Sequence, residues 1–232
     1  MNKILQNFEK NISYIANVKE ELLPPATNEE LDEAEKKLGV DFPQDFRELY
    51  LWHNGQKGHI FLFGEYRISP LEELLELNII GRKSIQTDWL KVQDDAGIIK
   101  DCIANPKWIR FGDNGGNTIL FLDFDPGMKG TVGQILESCD GDNECHYIGV
   151  KEFISDITNK ITTGQIIWNN NAGGFCQIEE ESEKNKFKWK ITKEGIIGFI
   201  VLFPFIILQS VFVYTYRIIA KIISLFKTKP NA

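Results

Sequence analysis

Apolar side chains recur every three or four positions through the first part of the chain, which predicts a series of amphipathic helices. Between Met1 and Leu22 they stand at positions 4, 5, 8, 12 and 15, and we predict one helix there. It ends before Pro24, because proline removes a backbone donor and clashes with the preceding turn. A second helix begins after Thr27, since Thr27 and Glu30 form a capping-box pattern.

Two more signals divide this helical region. The second helix buries Leu31, Ala34 and Leu38. It ends at Gly39, because glycine accepts the left-handed conformation that commonly closes a helix. Pro43 suits the first turn of a third helix, whose apolar face carries Phe46, Leu49 and Tyr50. The turn pair Asn54-Gly55 ends this region.

Beyond this turn the pattern changes to short apolar runs bounded by Gly, Asn, Asp and Pro, which is typical of strands. The predicted strands are 58–64, 108–111, 118–124, 131–136 and 145–150, with a turn at 112–117. Helical spacing returns at 70–80 and 151–161, and 84–92 is a further candidate helix. Helices first and mostly strands afterwards predict an α+β fold, with N-terminal helices packed on a mostly antiparallel sheet.

The C-terminal part has a different character. Residues 195–216 carry no formal charge, and a helix of 22 residues is about 33 Å long, enough to cross a hydrocarbon core of about 30 Å. We therefore predict a transmembrane helix, with a buried core helix of the soluble domain as the alternative. The predicted organisation is a domain at 1–161, a linker or edge hairpin at 162–193, and a membrane segment with a basic tail at 194–232.

Charge is unevenly distributed along the chain. Residues 1–193 contain 22 basic and 32 acidic residues, whereas residues 194–232 contain four basic and one acidic. An acidic body is a poor ligand for nucleic acid and a suitable one for a basic protein. The N-terminus lacks the uninterrupted apolar region of a signal peptide, so we expect a membrane-anchored protein with its globular domain in the cytoplasm, or a soluble cytoplasmic one.

The reactive residue types do not form a recognisable active site. His53, His59 and His146 have no Ser or Cys nucleophile at a recognisable spacing. Cys139, Cys145 and His146 match no common zinc pattern, so we expect no metal and reduced thiols. The run 112–117 is followed by a strand and lacks a Gly-Lys-Ser/Thr sequence, so we interpret it as a turn and expect no cofactor.

The acidic turns of the strand region are the candidate binding residues. Aspartates and a glutamate at 140, 142 and 144 lack the spacing of a calcium loop. They form either a solvated loop or a partner-binding surface. The candidate partner-binding residues are Asp113, Asn114, Asp125, Asp140, Asp142 and Glu144.

Two stretches resemble the SUKH superfamily, the domain shared by fungal Smi/Knr-like cell-wall regulators and many bacterial toxin-immunity proteins. The first, at 23–56, reads LPPATNEELDEAEKKLGVDFPQDFRELYLWHNGQ. Its matching residues are Glu35, Leu38, Gly39, Pro43, Asn54 and Gly55. The second, at 108–135, reads WIRFGDNGGNTILFLDFDPGMKGTVGQI. Its matching residues are Trp108, Gly112, Gly115, Gly116, Asp123 and Gly133. The later VKEFISDI at 150–157 is similar to the closing helix of the family.

This resemblance spans roughly residues 20–160 and implies a function by binding. Bacterial members of this kind neutralise a toxin by direct contact, so we expect a non-catalytic immunity protein whose partner is a basic toxin. The alternative is a membrane-tethered scaffold or regulator in cell-envelope synthesis, like the fungal relatives. The apolar segment at 195–216 is a departure from the family pattern.

Overall fold

The computed structural model describes residues 1–58, 60–85 and 97–177, and the α+β prediction is confirmed. The helices are α1 (Asn2–Ile12), α2 (Val18–Glu21), α3 (Asn28–Leu38), α4 (Gln44–Trp52), α5 (Leu71–Arg82) and α6 (Val150–Thr162). The main strands are β1 (Arg67–Ile68), β2 (Trp108–Asp113), β3 (Thr118–Asp123), β4 (Gln134–Cys139) and β5 (Asp142–Tyr147). They form an antiparallel sheet in the order β1-β2-β3-β4-β5.

The sheet separates two apolar clusters, because successive strand residues point to opposite faces. Ile109 and Ile135 pack with the helices in the larger cluster, which also contains Phe46, Phe111 and Phe153. Their chain neighbours Trp108 and Leu136 belong to a smaller cluster with Ile99 and Cys102. We call the first side of the sheet the helix face and the second the loop face. Both faces of the sheet are therefore covered at β2 and β4, the strands on either side of the central strand β3.

The second predicted helix forms as the sequence indicates. The Glu30 N–H donates to Thr27 Oγ1 over 3.2 Å, and the Thr27 N–H donates to the Glu30 carboxylate over 2.8 Å. At the other end Gly39 is left-handed, with a φ of 66°, and its N–H donates to the Glu35 carbonyl. The prolines that precede α4 and α5, Pro43 and Pro70, occupy the N-cap position instead of the first turn.

The first predicted helix is wrong in its second half. Helix α1 ends at Ile12, and Asn17 adopts a left-handed conformation with a φ of 63° before the short α2. Asparagine accepts this conformation more readily than most residues, so it breaks the helix while the apolar pattern continues. Ile15, Val18 and Leu22 remain buried in the main cluster, although they do not belong to one helix.

Several strand predictions also need correction. Residues 58–64 form no strand of the sheet within the described residues; Phe61 and Phe63 make isolated bridges, to Gly174 and Tyr66. The first strand is instead Arg67–Ile68, after a turn at Gly64. The predicted turn at 112–117 begins later, because β2 runs through Asp113, and the predicted strand at 145–150 is shifted to Asp142–Tyr147.

A hairpin follows α6, in the segment for which the sequence left open a linker or an edge hairpin. Its strands are β6 (Ile166–Asn169) and β7 (Gly174–Gln177). Ile166 and Phe175 are buried in the main cluster, so this hairpin adds to the core. The boundaries at 161 and 193 stay predictions.

Three further predictions fall outside the described residues. The candidate helix at 84–92 is described only at its first two positions, and the membrane segment at 195–216 and the end of the 162–193 segment are not described. Within the part of the chain that is described, no helix has both the length and the apolar character needed to span a membrane.

Candidate protein-binding surface

The residues of the first motif stretch connect secondary-structure elements. Glu35 joins α3 to α4, because its carboxylate accepts from the Phe42 N–H over 2.7 Å and from the Arg47 guanidinium over 2.5 Å. Leu38 is buried in the main cluster. In the turn after α4, Asn54 Oδ1 accepts from the Leu71 N–H at the start of α5 over 2.8 Å. These contacts hold the helices on the sheet and leave little for a partner to bind.

Asp113 is the centre of a buried ion network and is not displayed at the surface. Arg67 donates to both of its oxygens, over 3.1 and 3.0 Å, and Arg110 adds a third contact of 3.0 Å. Arg67 also contacts Glu73 of α5. Burial opposes ionisation of Asp113, but the hydrogen bonds from Arg67, the Gly115 N–H and Arg110 outweigh it and hold its pKa below its ordinary value. The network ties β1, β2 and α5 together.

Asp123 is completely buried on the loop face, and its role in the fold is also internal. Its oxygens accept from the Asp125 N–H and the Gln134 side-chain amide, over 2.8 and 2.9 Å. Burial raises its pKa, and these hydrogen bonds oppose the rise without reversing it. Asp123 therefore links the end of β3 to the start of β4.

Two other predicted residues stabilise turns. Asn114 Oδ1 accepts from the N–H groups of Gly116 and Thr118, over 2.9 and 3.1 Å, which closes the β2–β3 turn. Asp125 accepts from Lys100 over 2.6 Å and from Asn105 over 2.9 Å. The Asn105 hydrogen bond and the Lys100 charge lower the pKa of Asp125. Whether either residue also binds a partner stays a prediction.

The remaining three predicted residues lie on the β4–β5 hairpin, and their side chains are exposed. Asp140 and Gly141 form its two-residue turn with φ angles of 52° and 88°, so the predicted acidic loop is a tight turn followed by a strand. Asp142 and Glu144 follow in β5, on the same side of that strand. Residues 134–147 include four acids and neither Lys nor Arg. We call these residues the acidic hairpin.

Two glutamates of the acidic hairpin stand directly opposite each other, Glu137 in β4 and Glu144 in β5. His146 lies between them, with Nε2 3.8 Å from the Glu137 carboxylate and 3.3 Å from that of Glu144. The Tyr66 hydroxyl also donates to Glu137. Like charges in a cross-strand pair destabilise a sheet, so the direct interaction between the two glutamates is unfavourable for the fold. It concentrates negative charge at one place on the surface.

Sequence reasoning missed Glu137, His146 and Tyr66 as parts of this surface. Glu137 lies inside a predicted strand, and its neighbours become apparent only when the register pairs it with Glu144. The alternation of strand residues, once β5 is placed correctly, is the signal that would have found His146. Tyr66 comes from a distant part of the chain, and no local pattern points to it.

The cysteine and histidine cluster is divided by the sheet. Cys145 packs with Trp108 on the loop face, while the next residue, His146, contacts the glutamates on the helix face. Within the described residues, no three His, Cys, Asp or Glu side chains form a group arranged to hold a metal ion.

We expect Glu144→Gln to stabilise the isolated protein slightly, because it removes a like-charge pair with Glu137. The expected gain in unfolding free energy is about 0.3 kcal/mol. Urea unfolding measures the gain, with Glu76→Gln on α5 as the matched exposed control. A clear loss of stability would show that Glu144 supports the fold.

Helices packed on a five-stranded antiparallel sheet, with an exposed acidic hairpin, define a small α+β domain. The SMI1 / KNR4 family (SUKH-1) matches residues 25–159, more than half of the chain, and the chain belongs to this family. The predicted resemblance is confirmed. A segment of 54 residues is 41% identical to the uncharacterized protein YnaB of Bacillus subtilis (strain 168). That segment covers 23% of this chain and 35% of the relative, so the chain spans about a third of that protein's length.

Proposed function

We propose that this protein is a non-catalytic immunity protein that neutralises a bacterial toxin by direct, stoichiometric binding through the acidic hairpin. The observation that carries the proposal is the concentration of exposed carboxylates on β4 and β5, in a stretch without Lys or Arg. Membership of the SMI1 / KNR4 family supports the immunity class. The partner that fits this charge is a toxin with a basic surface.

The electrostatics favour such a partner in two ways. A surface of one sign speeds the encounter with an oppositely charged protein, and it penalises acidic competitors. The facing pair Glu137 and Glu144 also repel each other less once a basic side chain lies between them. Binding therefore relieves a repulsion that the isolated protein has to tolerate.

The proposal extends to the placement of the protein. The uncharged segment at 195–216 anchors the chain in a membrane, and the globular domain faces the cytoplasm. The sequence alone supports this part of the proposal. A toxin that acts in the cytoplasm would then meet its inhibitor near the membrane.

The test is co-expression of the full chain with a toxin encoded beside its gene. We expect growth to be restored, and the purified pair to elute as a 1:1 complex in size-exclusion chromatography with light scattering. Growth restored without a complex contradicts direct binding, and toxicity that persists while the chain is folded and expressed contradicts the immunity role. Degradation of the toxin by the purified chain would instead show an enzyme.

A further inference from the structure

A groove of about 350 Å³ lies on the loop face of the sheet, between that face and the C-terminal half of α5. Its walls include Leu77 and Arg82 of α5, and its floor includes Trp108, Arg110 and Phe121. Ser138 and Gly141 line the far end. Glu137, next to Ser138 in β4, points to the other face, so the groove and the charged pair of the acidic hairpin are on opposite sides of the sheet.

Two N–H donors on the residues that line this groove have no hydrogen-bond partner. They are the Nε atoms of Arg82 and Arg110, and both atoms are buried. The indole N–H of Trp108 faces the Asp123 carboxylate, its cross-strand neighbour, and is not one of them. A buried donor without an acceptor costs about 1–3 kcal/mol, so two in one place need an explanation.

The amide side chains of the groove supply no acceptor for these donors. Asn78 uses its oxygen for the Arg110 N–H and its nitrogen for the carbonyls of Leu74 and Arg110. Asn105 is used in the same way, by the Lys107 N–H and the Asp125 carboxylate. Both amide oxygens of the groove are therefore already occupied, and the two Nε donors find no acceptor among them.

The charge of the groove is also unbalanced. Arg110 has a carboxylate partner in Asp113, 3.0 Å away. Arg82 donates to the Leu38 carbonyl over 2.8 Å and, among the described residues, forms no ion pair. Burial lowers the pKa of the Arg82 guanidinium, in agreement with a cation that has no carboxylate partner in the described part of the chain. A ligand carboxylate would supply both the missing charge and the missing acceptors.

We propose that this groove binds a glutamate or aspartate side chain of a partner protein, in an extended segment that also places an apolar side chain on the groove floor. The carboxylate faces Arg82 and Arg110, and the apolar side chain packs on Trp108 and Phe121. The groove passes from β2 to β4, which is about 10 Å at the spacing of neighbouring strands, or three residues of extended chain. A segment of this length fills it better than a single small acid.

This site is independent of the proposed function, because it lies on the opposite face from the glutamate pair and selects the opposite charge. A segment bound here does not replace the basic partner of the acidic hairpin. A protein with both features would contact two surfaces or two partners at once. The two proposals therefore fail separately, and their variants do not overlap.

The test uses the full chain and two labelled tripeptides, N-acetyl-Phe-Glu-Phe-amide and N-acetyl-Phe-Gln-Phe-amide, in fluorescence anisotropy. We expect the Glu peptide to bind at least roughly tenfold more tightly than the Gln peptide, because one charge-assisted hydrogen bond contributes about 1.5–3 kcal/mol. Arg82→Met is expected to remove this preference. Glu29→Lys on α3, which does not line the groove, is expected to leave it unchanged.

Thermal unfolding followed by circular dichroism establishes that each variant is folded before its affinity is interpreted. Equal affinity for the two peptides overturns the proposal, and so does a preference that survives Arg82→Met. Sodium acetate is the third probe. If acetate competes as well per mole as the unlabelled Glu peptide, the groove holds a small carboxylic acid, and the assignment to a protein segment is wrong.

Discussion

Gly55→Ala is expected to destabilise the domain by at least about 3 kcal/mol, enough to leave much of a marginally stable protein unfolded. Gly55 has a φ of 65°, a conformation that costs a residue with a Cβ about 1–2 kcal/mol. A Cβ at this position would also lie 2.6 Å from the Ser69 carbonyl oxygen and 2.7 Å from that of Ile68. Both are backbone atoms, so no side-chain rotation relieves the contact.

The position of Gly55 explains why the chain cannot move aside. The Gly55 carbonyl accepts from the Leu23 N–H over 3.1 Å, and the next residue, Gln56, donates its N–H to the Ile68 carbonyl over 3.1 Å. Gln56 is buried and uses its side-chain oxygen for the Ile68 N–H. The turn is thus tied on one side to the segment before α3 and on the other to β1.

Gly39→Ala is the matched control, since it separates the cost of conformation from the cost of contact. Gly39 has almost the same φ, 66°, but an added Cβ there meets nothing within 4 Å. We expect Gly39→Ala to cost about 1 kcal/mol. Urea unfolding of the two variants measures the difference, and similar losses would contradict the close approach of Gly55 to β1.

Asp113→Asn is expected to cost about 3 kcal/mol, because it removes the charge that two buried or half-buried guanidinium groups share. The Arg67 side chain is 12% exposed and that of Asp113 is 6% exposed, so water replaces little of the lost interaction. Arg67 keeps its contact with Glu73, which limits the loss. The control is Asp41→Asn, an exposed carboxylate, for which we expect a change within about 0.5 kcal/mol.

The same network gives a pH dependence with a definite sign. The pKa of Asp113 is lower in the folded protein, where the arginines outweigh the effect of burial, than its unfolded value of about 3.9. Its contribution is complete above about pH 4–5 and is lost as the pH falls through the lower, folded value. The difference in unfolding free energy between wild type and Asp113→Asn should be constant from pH 5 to 8 and shrink below about pH 4. A difference that grows in acid would contradict the network.

Features decided by neighbours in the chain could be predicted from the sequence. The capping box of Thr27 and Glu30 needs only residues three apart, and it forms as expected. The strand pattern at 118–124 was correct to within one residue. In contrast, the break at Asn17 was hidden, because the apolar spacing continues across it and the side chains stay buried.

Features decided by distant residues could not be predicted. Asp113 reads as an exposed turn aspartate until β1 supplies Arg67, which lies 46 positions earlier. The charged pair of the acidic hairpin depends on the register of β4 and β5, because a shift of one residue turns the side chains of a strand to the opposite face of the sheet. The groove combines α5 with the loop face of the sheet, and its unpaired donors are visible only after every neighbour has been placed. The sequence therefore indicated the family and the sign of the charge, and the structure was needed for the surfaces.

The affinity of the acidic hairpin for its toxin is the most direct test of the account. We would measure it by calorimetry at physiological salt for wild type, for Asp142→Lys with Glu144→Lys, and for Glu29→Lys with Glu76→Lys on α3 and α5. Both double variants change the net charge of the protein equally, so a difference in their affinities reports where on the surface the charge is reversed. We predict that reversal on the acidic hairpin weakens binding at least roughly 100-fold, while the control pair changes it less than about threefold. Equal effects of the two pairs, or no effect of either, would contradict binding through this surface.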